Sequence, residues 1–472
     1  MPVPTERSNI SVAAERTVLA ALRLPGSRHD PRDPFGELRA LAEQAGAIVV
    51  GELEQRRDKP EAGTFIGAGK VEELKSLCEA LGATTVIFDH GLSPAQICNI
   101  EEITGRKILD RSELILDIFA GRATTHEAKL QVELAQLEYT FPRLRAMWTH
   151  LERIVGAGAI AGIGTRGPGE QQLELDRRIV TRRATELRRD LATIQARKRR
   201  EVQKRRLDHF TVGLVGYTNA GKSTVFNTLT AGGAYADDRL FATLMTRTRE
   251  WDVGGGQRVM LSDTVGFVRD LPHNLVASFK ATLEEATHAD VLLIVLDISD
   301  PTAPMQYQVV TETLDELCAD TKKADEREGL VWKEPERVLL LNKADRLADN
   351  SALLEWQQRV PGAITLCALA PEQGGSGLGL DVLREHVAAS SRGPIRHCRI
   401  EVAMSDAKTV STLENRTEIL GREYTDTSVV YELRIGMNQI EKLRAGGARM
   451  KITSLDTLPP IRDAGLEFGW GR

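Results

Sequence analysis

The chain has 472 residues, a length that predicts about three domains. Its composition, 42% hydrophobic and 27% charged, excludes a wholly disordered or fibrous protein, and the net charge of −5 gives by itself no sign of nucleic-acid binding. The sequence has no run of about 18 apolar residues and no basic head before an unbroken apolar stretch. We therefore expect neither a membrane span nor secretion.

The five cysteines lie far apart and lack the CxxC or CxxH spacing of a zinc site. They are Cys78, Cys98, Cys318, Cys367 and Cys398. This distribution predicts free thiols in a reducing cytoplasm.

The first part of the chain, residues 1–125, predicts a small α/β domain with an N-terminal extension. Short apolar runs alternate there with helical patterns, as in βαβ units. The segments are Val18–Leu22, Phe35–Ala45, Ala47–Leu53 and Thr85–Asp89.

A heptad pattern marks the second part, residues 126–208. Apolar residues recur at spacings of four and three at Leu130, Leu134, Leu137, Phe141, Leu144, Trp148 and Leu151. The spacing resumes at Val180, Ala184, Leu187, Leu191 and Ile194. Such a narrow seam needs a partner, so we expect an antiparallel helical hairpin that projects about 35–40 Å, with a kink at Pro142.

The segment that joins the two helices, Gly156–Glu170, contains six glycines and one proline, and we expect no regular element in it. It is either a flexible turn or a loop whose bare backbone approaches phosphates. The adjoining helix favours the second interpretation, because residues 177–206 carry 13 basic against three acidic side chains. The candidate RNA contacts are Arg153, Arg166, Arg177, Arg178, Arg182 and Arg183.

Residues 209–393 form the domain that we expect to carry the chemistry. An apolar strand, Phe210–Val215, runs into the motif GxxxxGKS at Gly216–Ser223, and a helix follows. In this arrangement backbone N–H groups and the helix dipole surround a phosphate, the lysine spans two phosphates and the serine hydroxyl binds Mg²⁺. The predicted contacts are Gly216, Tyr217, Thr218, Asn219, Ala220, Gly221, Lys222, Ser223 and Thr224.

A second phosphate motif, DxxG, follows the apolar strand Val259–Leu261. We assign Asp263 to the magnesium shell and the Gly266 N–H to the γ-phosphate, with Thr264 and Val265 between them. The preceding segment Phe241, Ala242, Thr243, Leu244 and Met245 is the candidate mobile loop, and Thr243 its magnesium ligand. Ser223, Thr243 and Asp263 are the predicted metal ligands, and Lys222, Thr243 and Gly266 the predicted catalytic residues.

Selection of the base is predicted at Asn342-Lys343-Ala344-Asp345, an NKxD motif that follows the strand Val338–Leu341. The Asp345 carboxylate can accept hydrogens from guanine N1 and N2 together, which adenine cannot supply. Asn342 and Lys343 brace the loop and the ring. A further loop, Cys367-Ala368-Leu369, is expected to offer the Ala368 N–H to the base.

Two positions in these motifs bear on hydrolysis. Phe267 stands where many GTPases carry the glutamine that orients water, so we expect slow intrinsic turnover and a partner or another residue that completes the site. Asn219 belongs to the pattern GxxNxGKS, in which similar GTPases use asparagine to hold K⁺. Mg²⁺ is therefore the predicted cofactor, with K⁺ a second hypothesis that equal turnover in K⁺ and Na⁺ would eliminate.

These motifs, with four segments before them, resemble the HflX family, translation-factor-class GTPases of the Obg–HflX group. The segments are Phe65–Leu74, Asp110–Tyr139, Phe141–Leu144 and Gly162–Arg178, and the likeness spans roughly Leu41 to Val387. The chain departs from the family at Met245-Thr246, where Asp-Pro is usual, and at Cys367, where serine is usual.

The resemblance implies a P-loop GTPase domain, preceded by a small α/β domain and a helical hairpin and followed by a small α+β domain at residues 394–472. It also implies a factor that binds GTP and GDP and docks on the large ribosomal subunit. The glycine loop and hairpin would point towards rRNA near the peptidyl-transferase centre, and GTP would drive the splitting of stalled or idle 70S ribosomes under stress. We expect a monomer in the cytoplasm, found also on ribosomes or at the membrane surface.

Two other functions remain open on the sequence. An RNA-remodelling or ribosome-assembly NTPase would associate with immature particles and unwind duplexes. A non-catalytic interaction protein would keep its ribosome binding after Lys222→Ala. Separately, Gly67-Ala68-Gly69-Lys70 before a helix is either a second nucleotide site or a tight helix-entry turn, and we favour the turn.

Overall fold

The computed structural model describes residues 12–26, 29–30, 32–139, 168–230, 246–254, 257–269, 286–327, 329, 332–347, 349–369, 376–445 and 447–455. Three sheets organise this part of the chain, each with its own hydrophobic core. The α/β fold with a parallel sheet predicted from the sequence is confirmed.

The first sheet is built from four parallel strands in the order β2-β1-β3-β4. Helices pack against both of its faces because its central strands are apolar on both sides, as in other parallel sheets. The elements are β1 (Arg16–Arg23), α1 (Gly36–Gln44), β2 (Ile48–Arg56), α2 (Ala68–Leu81), β3 (Thr85–Phe88), α3 (Pro94–Thr104), β4 (Lys107–Asp110) and α4 (Arg111–Arg122).

Two long helices follow this sheet. Residues 126–139 are helical and are called α5, and α6 spans Pro168–Asp208. Leu130 and Leu134 of α5 pack against Leu187 and Leu191 of α6, as the heptad pattern predicts. The half of the predicted first helix that contains Pro142 lies outside the described residues.

Salt bridges fix the direction of the two helices. Glu127, at the start of α5, pairs with Lys198 late in α6, whereas Glu138, at its end, pairs with Arg188. The helices therefore run antiparallel. The expectation of no regular element in Gly156–Glu170 is wrong at its end, because α6 already begins at Pro168, and proline is favoured at the first helical position, where no backbone N–H is needed. The 41 residues of α6 span about 60 Å, longer than the expected hairpin.

The second sheet has six strands in the order β10-β9-β8-β5-β7-β6, all parallel except β6, which pairs antiparallel with β7. Its central strand β8 is buried at every residue. The elements are β5 (Phe210–Gly216), α7 (Lys222–Leu229), β6 (Arg247–Gly254), β7 (Gln257–Asp263), β8 (Val291–Asp297), α8 (Ala303–Arg327), β9 (Glu336–Asn342), a 3₁₀ turn (Ala344–Arg346), α9 (Ser351–Arg359), β10 (Ile364–Thr365) and α10 (Leu380–Arg392).

The third sheet is antiparallel, in the order β12-β13-β11-β14. With its two helices it forms the predicted α+β unit, of the βαββαβ type. The elements are β11 (Ile395–Ala403), α11 (Ala407–Arg416), β12 (Glu418–Tyr424), β13 (Ser428–Gly436), α12 (Met437–Ala445) and β14 (Met450–Ser454). This unit packs on the second one, as the hydrogen bond from the Asn438 side chain to the carbonyl of Ser390 at 2.8 Å shows.

Candidate nucleotide site

The predicted phosphate loop lies between the end of β5 and the start of α7, at the carboxyl edge of the second sheet, where ligands of parallel sheets bind. Two of its glycines have left-handed φ values, 153° at Gly216 and 95° at Gly221. A Cβ at Gly216 would lie 2.3 Å from the carbonyl oxygen of Val295, and one at Gly221 would lie 2.3 Å from Nδ2 of Asn342. No other residue type fits these two positions.

Lys222 begins α7 and is buried. Its Nζ donates to the carbonyl of Tyr217 at 2.8 Å, so the ammonium lies inside the curve of the loop. Burial lowers the pKa of Lys222 to about 8, while the nearby charge of Asp263 acts in the opposite direction. A negatively charged phosphate beside this buried amine would stabilise its protonated form and raise its pKa.

The DxxG motif lies directly beside the loop. A Cβ built on Gly266 would be 2.9 Å from Lys222 Nζ, and the Thr218 N–H donates to the carbonyl of Phe267 at 2.7 Å. The Phe267 N–H donates in turn to the carbonyl of Gly216 at 3.0 Å. The fold therefore brings together the two motifs predicted to hold the phosphates.

The predicted magnesium ligands Ser223 and Asp263 also meet. The Ser223 hydroxyl donates to Oδ2 of the buried Asp263 at 2.9 Å. A hydroxyl and a carboxylate at the end of a phosphate loop are hard oxygen donors, and they fit Mg²⁺. The buried Thr218 Oγ1, which makes no hydrogen bond to the described part of the chain, is a further polar group at this site. Thr243 and the rest of Phe241–Met245 lie outside the described residues.

Phe267, which stands where many GTPases carry the glutamine that orients water, has a packing role. Its ring is 2% exposed and lies in the core with Val215 and Tyr217. Because its side chain packs inward and has no hydrogen-bonding group, Phe267 cannot take the glutamine's role.

Asn342, in the NKxD motif, connects its own loop to the phosphate loop and to the loop Cys367-Ala368-Leu369. Its Nδ2 donates to the carbonyl of Ala220 at 2.8 Å, and its Oδ1 accepts from the Ala368 N–H at 3.1 Å. The Ala368 N–H, which the sequence assigns to the base, is thus engaged with Asn342 in this structure. The carbonyl of Ala368 accepts from the Thr228 hydroxyl at 2.7 Å, which ties the same loop to α7.

Lys343 and Asp345 occupy the turn after β9. Lys343 Nζ donates to the carbonyl of Asn219 at 2.9 Å and pairs with Oδ2 of Asp297 at 2.6 Å. Asp345 is exposed, with Ala344 beside it, as a base-contacting carboxylate needs to be. Asp297 is a positioning carboxylate that the sequence analysis missed, although its place at the end of the apolar strand β8 was a usable signal. Cys367 is buried, and Leu369 is partly exposed.

Other motif residues have structural roles. The neighbours Thr246 and Thr248 are described, and the hydroxyl of Thr248 shares a hydrogen bond with Ser262 at 3.0 Å. At the GxGK segment, Gly67 precedes the first turn of α2 with its N–H bonded to Gln55 Oε1 at 2.8 Å. Lys70 pairs with Glu73 on the same helix at 2.8 Å. This geometry is that of a helix-entry turn.

The candidate RNA contacts are only partly described. Arg178 and Arg182 are exposed on α6, with Arg182 bound to Glu186 of the same helix at 3.3 Å. The Arg183 guanidinium donates to Glu133 of α5 through Nε and NH2, at 2.7 and 3.0 Å, and its role as an RNA contact stays a prediction. Arg153, Arg166 and the side chain of Arg177 lie outside the described part. The sequence showed few acids within α6 but could not show that α5 supplies them.

In the part of the chain that the structure describes, no helix is long and apolar enough to cross a bilayer. The same part holds no cluster of three or more potential His, Cys, Asp or Glu metal ligands. All five cysteines are free, as predicted.

Three family models match the chain in succession. They are described as GTP-binding GTPase N-terminal over residues 32–120, GTP-binding GTPase Middle Region over 122–206, and 50S ribosome-binding GTPase over 211–343. The chain is 42% identical over 358 residues to the GTPase HflX of Escherichia coli, with 75% of this chain and 79% of that protein covered. It belongs to the HflX family of GTPases.

Two other HflX proteins extend this result. The one from Lacrimispora saccharolytica is 45% identical, with 66% of this chain and 73% of that protein covered. The one from Gluconacetobacter diazotrophicus is 35% identical over 446 residues, with 87% of this chain and 92% of that protein covered. As a member of the HflX family, the chain hydrolyses GTP.

Protonation of Lys222 gives a first testable prediction. With a pKa of about 8, this amine is about half protonated at pH 8, and a bound triphosphate raises its pKa. We expect GTP binding at pH 8 to take up about half a proton more in the wild type than in Lys222→Arg, and binding at pH 6.5 to show no such difference. Calorimetric titrations in two buffers of different ionisation enthalpy measure this uptake. Lys222→Arg, which stays charged, is the control, and the same uptake in that variant contradicts the assignment.

Proposed function

We propose that this protein is a GTP-driven ribosome factor that binds the 50S subunit and splits stalled or idle 70S ribosomes. The observation that carries the proposal is the assembled phosphate site, with Lys222, Ser223, Asp263 and Gly266 together at one sheet edge. The match to a family described as 50S ribosome-binding GTPase and the exposed basic face of α6 support the ribosome as partner.

Each group at the site has a role in this proposal. Lys222 binds and neutralises the β- and γ-phosphates, and the Gly266 N–H donates to the γ-phosphate. Ser223 and Asp263, with Thr243, are the ligands that would hold Mg²⁺, which supplies charge neutralisation on the phosphates when bound. Asn342 and Lys343 brace the loop from which Asp345 accepts the guanine hydrogens. K⁺ held by Asn219 belongs to the same proposal as a second ion.

The wider arrangement follows from the same reasoning. We propose domains at residues 1–125, 126–208, 209–393 and 394–472, acting as a cytoplasmic monomer that is found also on ribosomes or at the membrane surface. The phosphate site lies one strand away from the end of α6, because β5 begins at Phe210. Loading with GTP would therefore set whether the hairpin can engage rRNA.

The experiment that tests this function uses 70S ribosomes and the purified full-length chain. Incubation with a non-hydrolysable GTP analogue should convert 70S particles to subunits in a sucrose gradient, with the protein on the 50S fraction, and GDP should not. Turnover of GTP should rise when 50S subunits are added. A gradient unchanged by either nucleotide, together with unstimulated turnover, would refute splitting, and selective migration with immature particles would favour an assembly role.

The hairpin gives a second prediction. Replacing Arg178 and Arg182 with Glu removes up to two phosphate contacts, so the negative slope of log binding constant against log salt should become shallower by about 1 to 2. Cosedimentation with 50S subunits at several salt concentrations measures the slope, and GTP affinity should not change. Arg258→Glu with Arg384→Glu, two exposed arginines of the second unit, is the control. An unaltered slope means that this face of α6 is only solvated.

A further inference from the structure

The carboxyl edge of the first sheet has a topological switch point, the kind of position at which other α/β proteins bind ligands. The strand order β2-β1-β3-β4 changes direction between β1 and β3, and such switch points open a crevice beyond the strand ends. Arg23 ends β1, and Asp89 directly follows β3. Both side chains are buried.

An arginine from the second unit reaches this edge of the first sheet. NH2 of Arg269 lies 3.0 and 3.1 Å from the two carboxylate oxygens of Asp89. Arg111 and Arg23 donate to the same carboxylate at 2.7 and 3.0 Å. Burial alone would raise the pKa of Asp89, but the charges of Arg111, Arg269, His90 and Arg23 outweigh it and lower that pKa. Asp89 is therefore ionised and forms an ion pair with the Arg269 guanidinium.

The arginine that pairs with Asp89 belongs to the segment that contains the DxxG motif. Arg269 lies three residues after Gly266, and its carbonyl accepts from Arg111 Nε at 3.3 Å. Val265 and Val268 pack into the hydrophobic core of the first unit. The backbone on both sides of Gly266 is thus attached to the N-terminal domain by charge and by apolar contact.

Tyr217 attaches the phosphate loop to the same cluster. Its hydroxyl donates to Oε1 of Glu37 at 2.7 Å and accepts from the Arg269 N–H at 2.8 Å. Glu37 accepts in addition from Arg111 NH2 at 2.6 Å. Burial and the charge of Glu37 raise the pKa of Tyr217 well above its ordinary value, so the hydroxyl keeps its proton. The phosphate loop and the DxxG segment therefore share one support outside their own domain.

We propose that Asp89 and Tyr217 are positioning residues for the γ-phosphate contact. Through them the N-terminal sheet holds Gly266 in place beside the phosphate loop. This inference rests on the proposed role of Gly266. A segment already held in its binding position loses little conformational freedom when the ligand arrives. Release of Arg269 adds that cost only for GTP, because GDP has no γ-phosphate for Gly266 to bind.

The test compares affinities for GDP and for a non-hydrolysable GTP analogue in full-length variants. Asp89→Asn should lower affinity for the GTP analogue about tenfold or more and leave GDP affinity within about twofold. Tyr217→Phe alters the phosphate loop that both nucleotides use, so it should lower affinity for the analogue about fivefold more than affinity for GDP. Asp33→Asn, an acid-to-amide change at a half-exposed site of the same unit, is the matched control and should alter neither affinity. Non-additive effects of Asp89→Asn and Arg269→Gln would confirm that Asp89 acts through Arg269.

Equal losses for both nucleotides, no change, or tighter binding of the GTP analogue would each overturn the proposal. Asp89→Asn removes a carboxylate that three buried guanidiniums share, and only Arg111 and Arg269 keep Glu37 as a charged partner, so the variant can lose folded protein. Tyr217→Phe keeps the ring in its core and removes only the hydroxyl, so it remains informative. A wild-type chain that binds neither nucleotide refutes the nucleotide site itself, whereas a wild type that binds both, with variants that lose both equally, refutes only the positioning role.

Discussion

Asp345→Asn should lower kcat/KM for GTP about 100-fold or more. Hydrogen bonds to a charged acceptor contribute about 1.5–3 kcal/mol each, and the amide replaces one acceptor oxygen with a donor that faces the donors of guanine. The exposed position of Asp345, in the 3₁₀ turn Ala344–Arg346, means that folding should not change. Xanthosine triphosphate has an oxygen at the 2-position and should restore much of the lost turnover.

Phosphate release from both nucleotides measures this switch in specificity. Asp349→Asn, which changes another exposed carboxylate four residues later, is the control and should retain the preference for GTP. If Asp345→Asn keeps the wild-type preference, the base lies elsewhere. If it loses turnover of both nucleotides together with its thermal stability, the residue has a structural role.

Asn342→Ala should weaken GTP binding strongly and also reduce stability. The substitution leaves the carbonyl of Ala220 and the N–H of Ala368 without their partner in a buried site, and each such group costs about 1–3 kcal/mol. We expect the free energy of unfolding to fall by about 2–4 kcal/mol. Denaturant unfolding and nucleotide titration measure the two effects.

Asn350→Ala is a suitable comparison, because Asn350 is exposed and makes no side-chain cap bond to α9. It should change neither property by more than about 0.5 kcal/mol. Saturating GTP should recover part of the stability lost in Asn342→Ala, since a ligand that binds the folded state stabilises it. A variant as stable as wild type, with unchanged GTP affinity, would show that Asn342 does not connect the loops.

The parts of the fold that were predictable are those fixed by short-range patterns. The strand Phe210–Gly216 with the helix that begins at Lys222 follows from an apolar run, two glycines and a GKS sequence within a few residues. The heptad in α5 and α6 predicted its own partner, because a narrow apolar seam must be covered. Those patterns also predicted the fold class.

The parts that were not predictable depend on contacts distant in sequence. Asp89 and Arg269 are 180 residues apart, and no sequence motif indicates that they pair. The neutralisation of Arg183 by Glu133, 50 residues earlier, was hidden for the same reason. The start of α6 at Pro168 was missed because six glycines suggested a loop, although proline suits the first turn of a helix.

The continuity of α6 has a mechanical consequence. The helix ends at Asp208, and β5, which carries the phosphate loop at its far end, begins at Phe210. A helix of 41 residues is a lever about 60 Å long. A tilt of about 5° at the strand would displace its tip by about 5 Å, roughly one helical turn. A repositioned phosphate ligand that produced such a tilt would therefore move the tip by about the size of a nucleotide base.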